Sequence, residues 1–254
     1  MVVEQLAKNS KLTLKISDVV KLYKAGMSTA DIAGKTNVSI RYINLVLKNN
    51  NVERRPRGSW KRQYTLNEDY FKTWSNNMAY ILGFFVASKD TQTISIAQKE
   101  IEILNSIKTE LKSEHPIIQN KKTGVYMLML NSKIMRKDII EIHGINPNKC
   151  LNLKFPKIPA EFMSHFVRGY FDGDGCIYKD KYFVNIVGGS KSFMESLVKI
   201  LASQNINAVI KSFEHHYRVY ISGDDPIKKF SAWIYKDKEL YLQRKYIRFH
   251  KENK

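Results

Sequence analysis

The chain of 254 residues carries 42 Lys and Arg against 24 Asp and Glu, a formal net charge of +18 with a pI near 9.7. Such a surface attracts polyanions, and an apolar content of 43% is too high for a disordered basic tail, so a folded nucleic-acid-binding protein is the leading expectation. No apolar run is long enough to span a bilayer, and neither end reads as a signal peptide or an amphipathic lysine helix. These features argue against a membrane protein and for a cytoplasmic one. The two cysteines, Cys150 and Cys176, form no CxxC and the six histidines show no HxxxH spacing, so neither a zinc site nor a disulfide framework is indicated.

Charge is uneven along the chain. Residues 1–65 hold 8 Lys and 5 Arg against four acids, which gives +9, half of the total. Ser17 to Lys24 predicts a helix with apolar Val19, Val20, Leu22 and Tyr23, ended by Gly26. Ser28-Thr29-Ala30-Asp31 is a capping signal for a second helix that turns Ile32 and Ala33 inward. After the short turn Thr36-Asn37-Val38, Ser39 caps a third helix with Ile43, Val46 and Leu47 inward. The spacing is that of a helix-turn-helix over residues 1–52, with Arg41, Tyr42, Asn44 and Lys48 on an outer face able to reach base edges or phosphates. An ordinary three-helix bundle with a solvated polar face is the alternative. Residues 53–65, with Arg54, Arg55, Arg57, Lys61 and Arg62 broken by Pro56 and Gly58, form no core element. They read as an extended arm for a minor groove or phosphate track, or as a plain solvated linker.

Residues 66–254 contain an internal repeat, visible when Gly83 is aligned with Gly169. In the first copy (66–150), Ala79 to Ala87 predicts a helix, Thr91 to Ile96 a strand, and Ile103, Leu104, Ile107 and Leu111 an amphipathic helix. A hairpin containing Val125 to Leu130 and a helix around Ile134 to Ile142 follow. In the second copy (151–254), Tyr182 to Val187 is the strand, and Phe193, Leu197, Val198 and Leu201 mark the helix. Ala208 to Phe213 and Tyr217 to Ser222 form the hairpin, and a helix lies near Ile227 to Trp233. Each half is therefore αββαββα, and the fold class is α+β. Gly83 and Ala87, like Gly169 and Gly173, sit one turn apart on one helix face, so two helix backbones can approach closely and form the seam between the halves. Ser88 and Asp174 then face one point.

The motifs Ala79-Tyr80-Ile81-Leu82-Gly83-Phe84, Lys149-Cys150-Leu151-Asn152-Leu153-Lys154-Phe155-Pro156, His165-Phe166-Val167-Arg168-Gly169 and Asp172-Gly173-Asp174-Gly175 resemble those of the LAGLIDADG homing endonucleases. The resemblance covers about residues 66–250, and an N-terminal helix-turn-helix followed by an arginine-proline arm also occurs in bacterial members of that family. It implies a monomeric pseudo-dimer whose two antiparallel sheets straddle double-stranded DNA. Gln92, Ser95, Gln98, Asn120, Lys121, Lys122, Lys211, His215, His216 and Arg218 would then be reading side chains. His215 and His216, adjacent on the expected strand, would point to opposite faces. The resemblance further implies that the acid at the eighth motif position holds catalytic Mg²⁺, which makes Asp174 and Gly173 the metal candidates, and that Lys149 and Lys245 stand near the scissile phosphates. A solvated lysine near a helix start is the alternative for both lysines.

The first motif departs from the pattern, with Ser88 in place of the acid and Lys89 in place of the following glycine. A hydroxyl is a poor substitute for a carboxylate in holding Mg²⁺, and an ammonium beside the site competes with the metal. Asp90 substitutes only if the helix ends differently. The expectation is a sequence-specific duplex-DNA-binding protein, with cleavage lost or impaired, acting as a regulator. The alternative is a Mg²⁺-dependent endonuclease or nickase using Asp174. An RNA maturase is a third reading that the sequence does not discriminate.

Overall fold

The computed structural model describes residues 12–54, 64–87, 94–146, 152–178 and 183–250. The chain forms two compact units, Met1–Gln63 and Tyr64–Lys254. The first contains α1 (Ile16–Lys24), α2 (Thr29–Thr36) and α3 (Ile40–Asn49). Side-chain caps set two of the helix starts. The Ser28 hydroxyl accepts from the Asp31 amide at 3.0 Å and donates to the Asp31 carboxylate at 2.6 Å, and the Ser39 hydroxyl accepts from the Tyr42 amide at 3.2 Å. Asn37, at φ 53°, takes the left-handed conformation that lets α2 end and α3 begin three residues later. Val19, Tyr23, Ile32, Ala33, Ile43, Val46 and Leu47 close a small core of their own.

The second unit holds two copies of one plan. The first comprises α4 (Asn76–Ala87), β1 (Ile94–Gln98), α5 (Ile101–Glu110), β2 (Ile117–Gln119), β3 (Tyr126–Leu130) and α6 (Lys133–Glu141). The second comprises α7 (Met163–Asp174), β4 (Gly175–Tyr178), β5 (Phe183–Gly188), α8 (Lys191–Ser203), β6 (Val209–Ser212), β7 (Tyr217–Ser222), α9 (Asp224–Ile234) and α10 (Gln243–His250). Both sheets are antiparallel. Their orders, β1-β3-β2 and β4-β5-β7-β6, coincide once β1, β3 and β2 are matched to β5, β7 and β6. The second sheet adds β4. Of the expected first strand, Thr91 to Ile96, residues 91–93 lie outside the described segments, and β1 covers the rest. Among the described residues no helix is long and apolar enough to cross a membrane.

The seam between the copies is α4 against α7. In α4 every residue from Met78 to Phe85 is buried, and in α7 every residue from His165 to Asp172, as expected for helices covered on all sides. A Cβ at Gly83 would overlap the Phe166 carbonyl and press on the Tyr170 amide. One at Gly169 would overlap the Tyr80 carbonyl and press on the Phe84 amide. These contacts are reciprocal: adding the repeat offset to Tyr80, Gly83 and Phe84 yields Phe166, Gly169 and Tyr170. The pseudo-two-fold axis is thus visible in atomic contacts, as in an isologous dimer interface. A Cβ at Gly173 would collide with that of Ala87, extending the same close approach toward the C-terminal ends.

Two parts of the fold differ from the sequence-based expectation. His215 and His216 lie in the turn between β6 and β7, not on a strand, because the Phe213 amide donates to the His216 carbonyl at 2.9 Å and closes the hairpin there. The helix α10 was not anticipated. It is strongly amphipathic but short, and it follows the irregular segment 235–242.

The glycine contacts are to backbone, which cannot rotate away. Gly83→Ala and Gly169→Ala should therefore each destabilise the second unit by about 1–3 kcal/mol or more in chemical denaturation, the range for overpacking. A change within experimental error would contradict the seam as described.

Candidate nucleic-acid interface

On α3, Arg41 and Lys48 are exposed and Tyr42 and Asn44 half-buried, and a shallow groove runs along this face to Asn51, Val52, Glu53 and Arg54. Inward Ile43, Val46 and Leu47 fix the rotation of the helix, so the four polar side chains are presented together. Exposed Leu45 lines the same groove. Of the basic arm, Arg54 is described, whereas Arg55, Arg57, Lys61 and Arg62 lie outside the described residues.

In the second unit, alternation along the strands separates two faces. Val184, Ile186, Val219 and Ile221 point to the helices. In the opposite face Val187, Arg218 and Lys211 form one cross-strand row, and Cys176, Asn185, Tyr220 and Val209 the next. Arg218 and Lys211 are thus on the face turned away from the core, with Lys211 exposed. Lys121 and Lys122 are exposed at the β2–β3 turn, where the Asn120 side chain accepts from the amides of Lys122 and Thr123. His215 is exposed beside Glu214 in the β6–β7 turn. His216 stacks on Phe213 at 4.9 Å and accepts from Arg218 Nε at 2.9 Å.

Gln98 departs from the expected placement. It shares a strand face with Ile94 and Ile96, and its amide donates to the Asp172 carbonyl at 3.5 Å, so it approaches the end of α7 instead of the outer sheet face. Ser95 does point to the outer face, paired with Met129, and is nearly covered. Gln92 lies outside the described residues.

At the C-terminal ends of the motif helices, α4 is described to Ala87 and α7 to Asp174, so Ser88, Lys89 and Asp90 lie outside, as does Lys149. Asp174 is the last residue of α7 and half-buried. Lys245 is buried, not solvated: it is 2% exposed, and its ammonium donates to the carbonyls of Phe171 at 2.5 Å, Asp172 at 3.0 Å and Gly175 at 2.6 Å. A helix leaves its last carbonyls without partners and carries negative potential there, so the buried cation caps α7 on both counts. Burial lowers the Lys245 pKa to about 8, against the opposing pull of Asp172 and, more weakly, Asp174.

Behind this cap lies a polar cluster that sequence reading missed. Asp172 accepts at one oxygen from the Tyr80 hydroxyl at 3.0 Å and the Leu242 amide at 2.9 Å, while Arg168 donates to the carbonyls of Ile234 at 2.7 Å and Leu240 at 2.9 Å. Asp172, Arg168 and Tyr80 are fully buried. The cluster ties α4, α7 and the segment before α10 together. Burial pushes the Asp172 carboxyl up to about 6, although Lys245, the Leu242 amide, Tyr80 and Arg168 all act to lower it. The available signal was the pairing of Arg168 and Asp172 four residues apart on an otherwise apolar motif helix.

Magnesium is held through one or two carboxylates, with water and phosphate oxygens completing its shell. Asp172 is held in the core cluster and the Phe171, Asp172 and Gly175 carbonyls accept from Lys245, and Asp174 is the other described carboxylate at this helix end. Among the described residues no group of three or more His, Cys, Asp or Glu gathers.

A family model described as a LAGLIDADG-like domain matches residues 161–235, the stretch from α7 to just past α9. The chain carries a LAGLIDADG-like domain. Among solved structures, it is similar to the homing endonuclease I-DmoI in complex with DNA and calcium, at 18% identity and TM-score 0.48 over 72% of this chain and 100% of that one. It is also similar to full-length DUF199/WhiA from Thermatoga maritima, at 18% identity and TM-score 0.47 over 72% of this chain and 63% of that one. Segments of two translation factors match as well. Elongation factor 2 of Methanopyrus kandleri is 26% identical over 102 residues, 40% of this chain, and the probable initiation factor IF-2 of Methanocaldococcus jannaschii is 27% identical over 150 residues, 53% of this chain. The matches span only 8% and 13% of those factors, so the likeness is to a small segment of each.

The cluster makes a signed prediction about pH. The raised Asp172 pKa means that its favourable contribution is present at low pH and lost as pH rises from about 3.8 to about 6. The lowered Lys245 pKa means that its contribution is lost as pH falls from about 10.5 to about 8. Lys245→Met should lower stability at neutral pH, because three carbonyls lose their donor, and should abolish the rise in unfolding free energy above pH 8. An unchanged alkaline slope in the variant would place the titration elsewhere.

Proposed function

We propose that the protein binds double-stranded DNA sequence-specifically through two linked modules and that its cleavage activity is lost or impaired, so that it acts as a DNA-binding regulator. The observation that carries the reading is the α4–α7 seam. It brings the C-terminal ends of the two motif helices side by side, and at the paired eighth positions the sequence supplies Asp174 on one helix and Ser88 on the other. Binding draws on many basic contacts, whereas cleavage draws on two positions, one of which lacks its acid.

In this reading α2 and α3 form a helix-turn-helix that places Arg41, Tyr42, Asn44 and Lys48 in a major groove, and the arm from Arg54 to Arg62 follows a phosphate track or minor groove. Lys121, Lys122, Lys211 and Arg218 contact a second stretch of the same duplex, with His215 at the β6–β7 turn facing its backbone. Linking the modules raises the effective concentration of the second contact and lengthens the recognised site. The protein acts as a monomer with internal pseudo-two-fold symmetry. A second reading, a Mg²⁺-dependent endonuclease or nickase, is favoured by the retention of Asp174 at the end of α7. In it Asp174 would hold the ion, and the chemistry such an ion would supply is activation of water for phosphodiester cleavage.

Affinity for a selected duplex should fall steeply with salt, since several phosphates are neutralised. Deleting residues 1–63 should shorten the protected footprint and weaken binding by tenfold or more, and Arg41→Ala with Lys48→Ala should reproduce part of that loss. A flat salt dependence would contradict DNA binding as the function, and an unchanged footprint after the deletion would contradict the two-module model.

A further inference from the structure

The outer face of the second sheet carries a cluster of aromatic rings beside the two cations, Lys211 and Arg218. Tyr178 and Phe183 are cross-strand partners, stacked with ring centroids 4.7 Å apart and planes at 24°. Phe183 meets Tyr220 at 5.5 Å, and the Lys211 ammonium stands 5.5 Å over the Tyr220 ring. The next cross-strand row brings Arg218 beside Lys211. Tyr178 is 44% exposed, so ring surface is open to solvent. Three contiguous aromatic rings flanked by two cations thus share one strand face. Rings cannot stack on bases that are already stacked and paired.

A further observation points to a base. Asn185, on β5 between its cross-strand partners Cys176 and Tyr220, is 3% exposed and keeps its side-chain oxygen without a hydrogen-bond partner. A buried amide oxygen left unpaired is costly, and a ligand that donates an N–H there removes the cost. Exocyclic amines of bases are such donors, and they become free when a base leaves its pair.

We propose that this face is a binding platform for unpaired DNA bases, with Tyr178, Phe183 and Tyr220 as stacking surfaces, Lys211 and Arg218 as phosphate contacts, and Asn185 as an acceptor for a base amine. Aromatic stacking with backbone-tracking cations is the general solution for single-stranded nucleic acid. The choice of DNA over RNA rests on the duplex-DNA reading above, because a duplex opened locally at the bound site supplies such bases to the same molecule.

The test is fluorescence anisotropy of the full chain with a labelled single-stranded DNA oligonucleotide, a duplex of the same sequence and an RNA oligonucleotide of the same sequence. The variants Tyr178→Leu and Tyr220→Leu keep apolar bulk while removing the rings, and far-ultraviolet circular dichroism checks that they fold. Each variant should lose about tenfold in affinity for the single strand and change duplex affinity less than twofold. Asn185→Leu should weaken binding of adenine- or cytosine-containing strands more than that of oligothymidylate. Single-strand binding without duplex binding would sustain the platform and defeat the duplex reading. Single-strand affinity that is absent, or unmoved by both leucine variants, would overturn the platform. Tighter RNA binding lost in the same variants would overturn the assignment to DNA.

Discussion

The second unit depends on the contact of two helices backbone to backbone. Gly83 lies against the Phe166 carbonyl and Gly169 against the Tyr80 carbonyl, with no side chain between. Removing side chains at one position per copy lets the helices come closer than leucine-lined helices would, and the reciprocity of the contacts forces the two copies into pseudo-two-fold register. Each sheet then follows from its motif helix. The Asp174 end of α7 leads directly into β4, so this helix end is joined covalently to a sheet.

Close packing of two apolar helices would ordinarily fill the interior with hydrocarbon, yet here Arg168, Asp172 and Lys245 are buried within it. Each cation satisfies backbone carbonyls that irregular chain and a helix end leave open: Ile234 and Leu240 for Arg168, and Phe171, Asp172 and Gly175 for Lys245. Buried ionic groups of this kind seldom raise stability over a hydrophobic alternative, and their value here is positional. They fasten the segment before α10 to the end of α7, and so fix the orientation of the residues around Asp174.

Much of this architecture was legible in the sequence. The apolar periods located nearly every helix and strand, Ser28 and Ser39 marked helix starts that the structure caps with their hydroxyls, and the small residues of the motif helices identified the seam. The failures have physical causes. Gln98 was placed outward by its polarity, but strand alternation carries it to the core side, where the end of α7 supplies a carbonyl to an amide. The burial of Lys245 was not legible because it depends on carbonyls some seventy residues away, which no local pattern encodes. The histidine pair sits in a turn because Phe213 and His216 close a hairpin one step earlier than β propensity suggests. The aromatic face of the second sheet was hidden because its members come from β4, β5 and β7 and assemble only through pairing.

The central claim of the proposed function is that the motif helices meet at the seam and that the sequence offers Asp174 at the eighth position of one motif and Ser88 at that of the other. It is tested most directly by incubating the protein with randomised and genomic duplexes in Mg²⁺ and sequencing both the bound fragments and any new DNA ends, beside a Ser88→Asp/Lys89→Gly variant. The account predicts enrichment of one long site with few or no new ends from the unmodified chain, and cutting within that site once the acid is restored. Discrete, efficient cleavage by the unmodified chain that Asp174→Asn abolishes would contradict it.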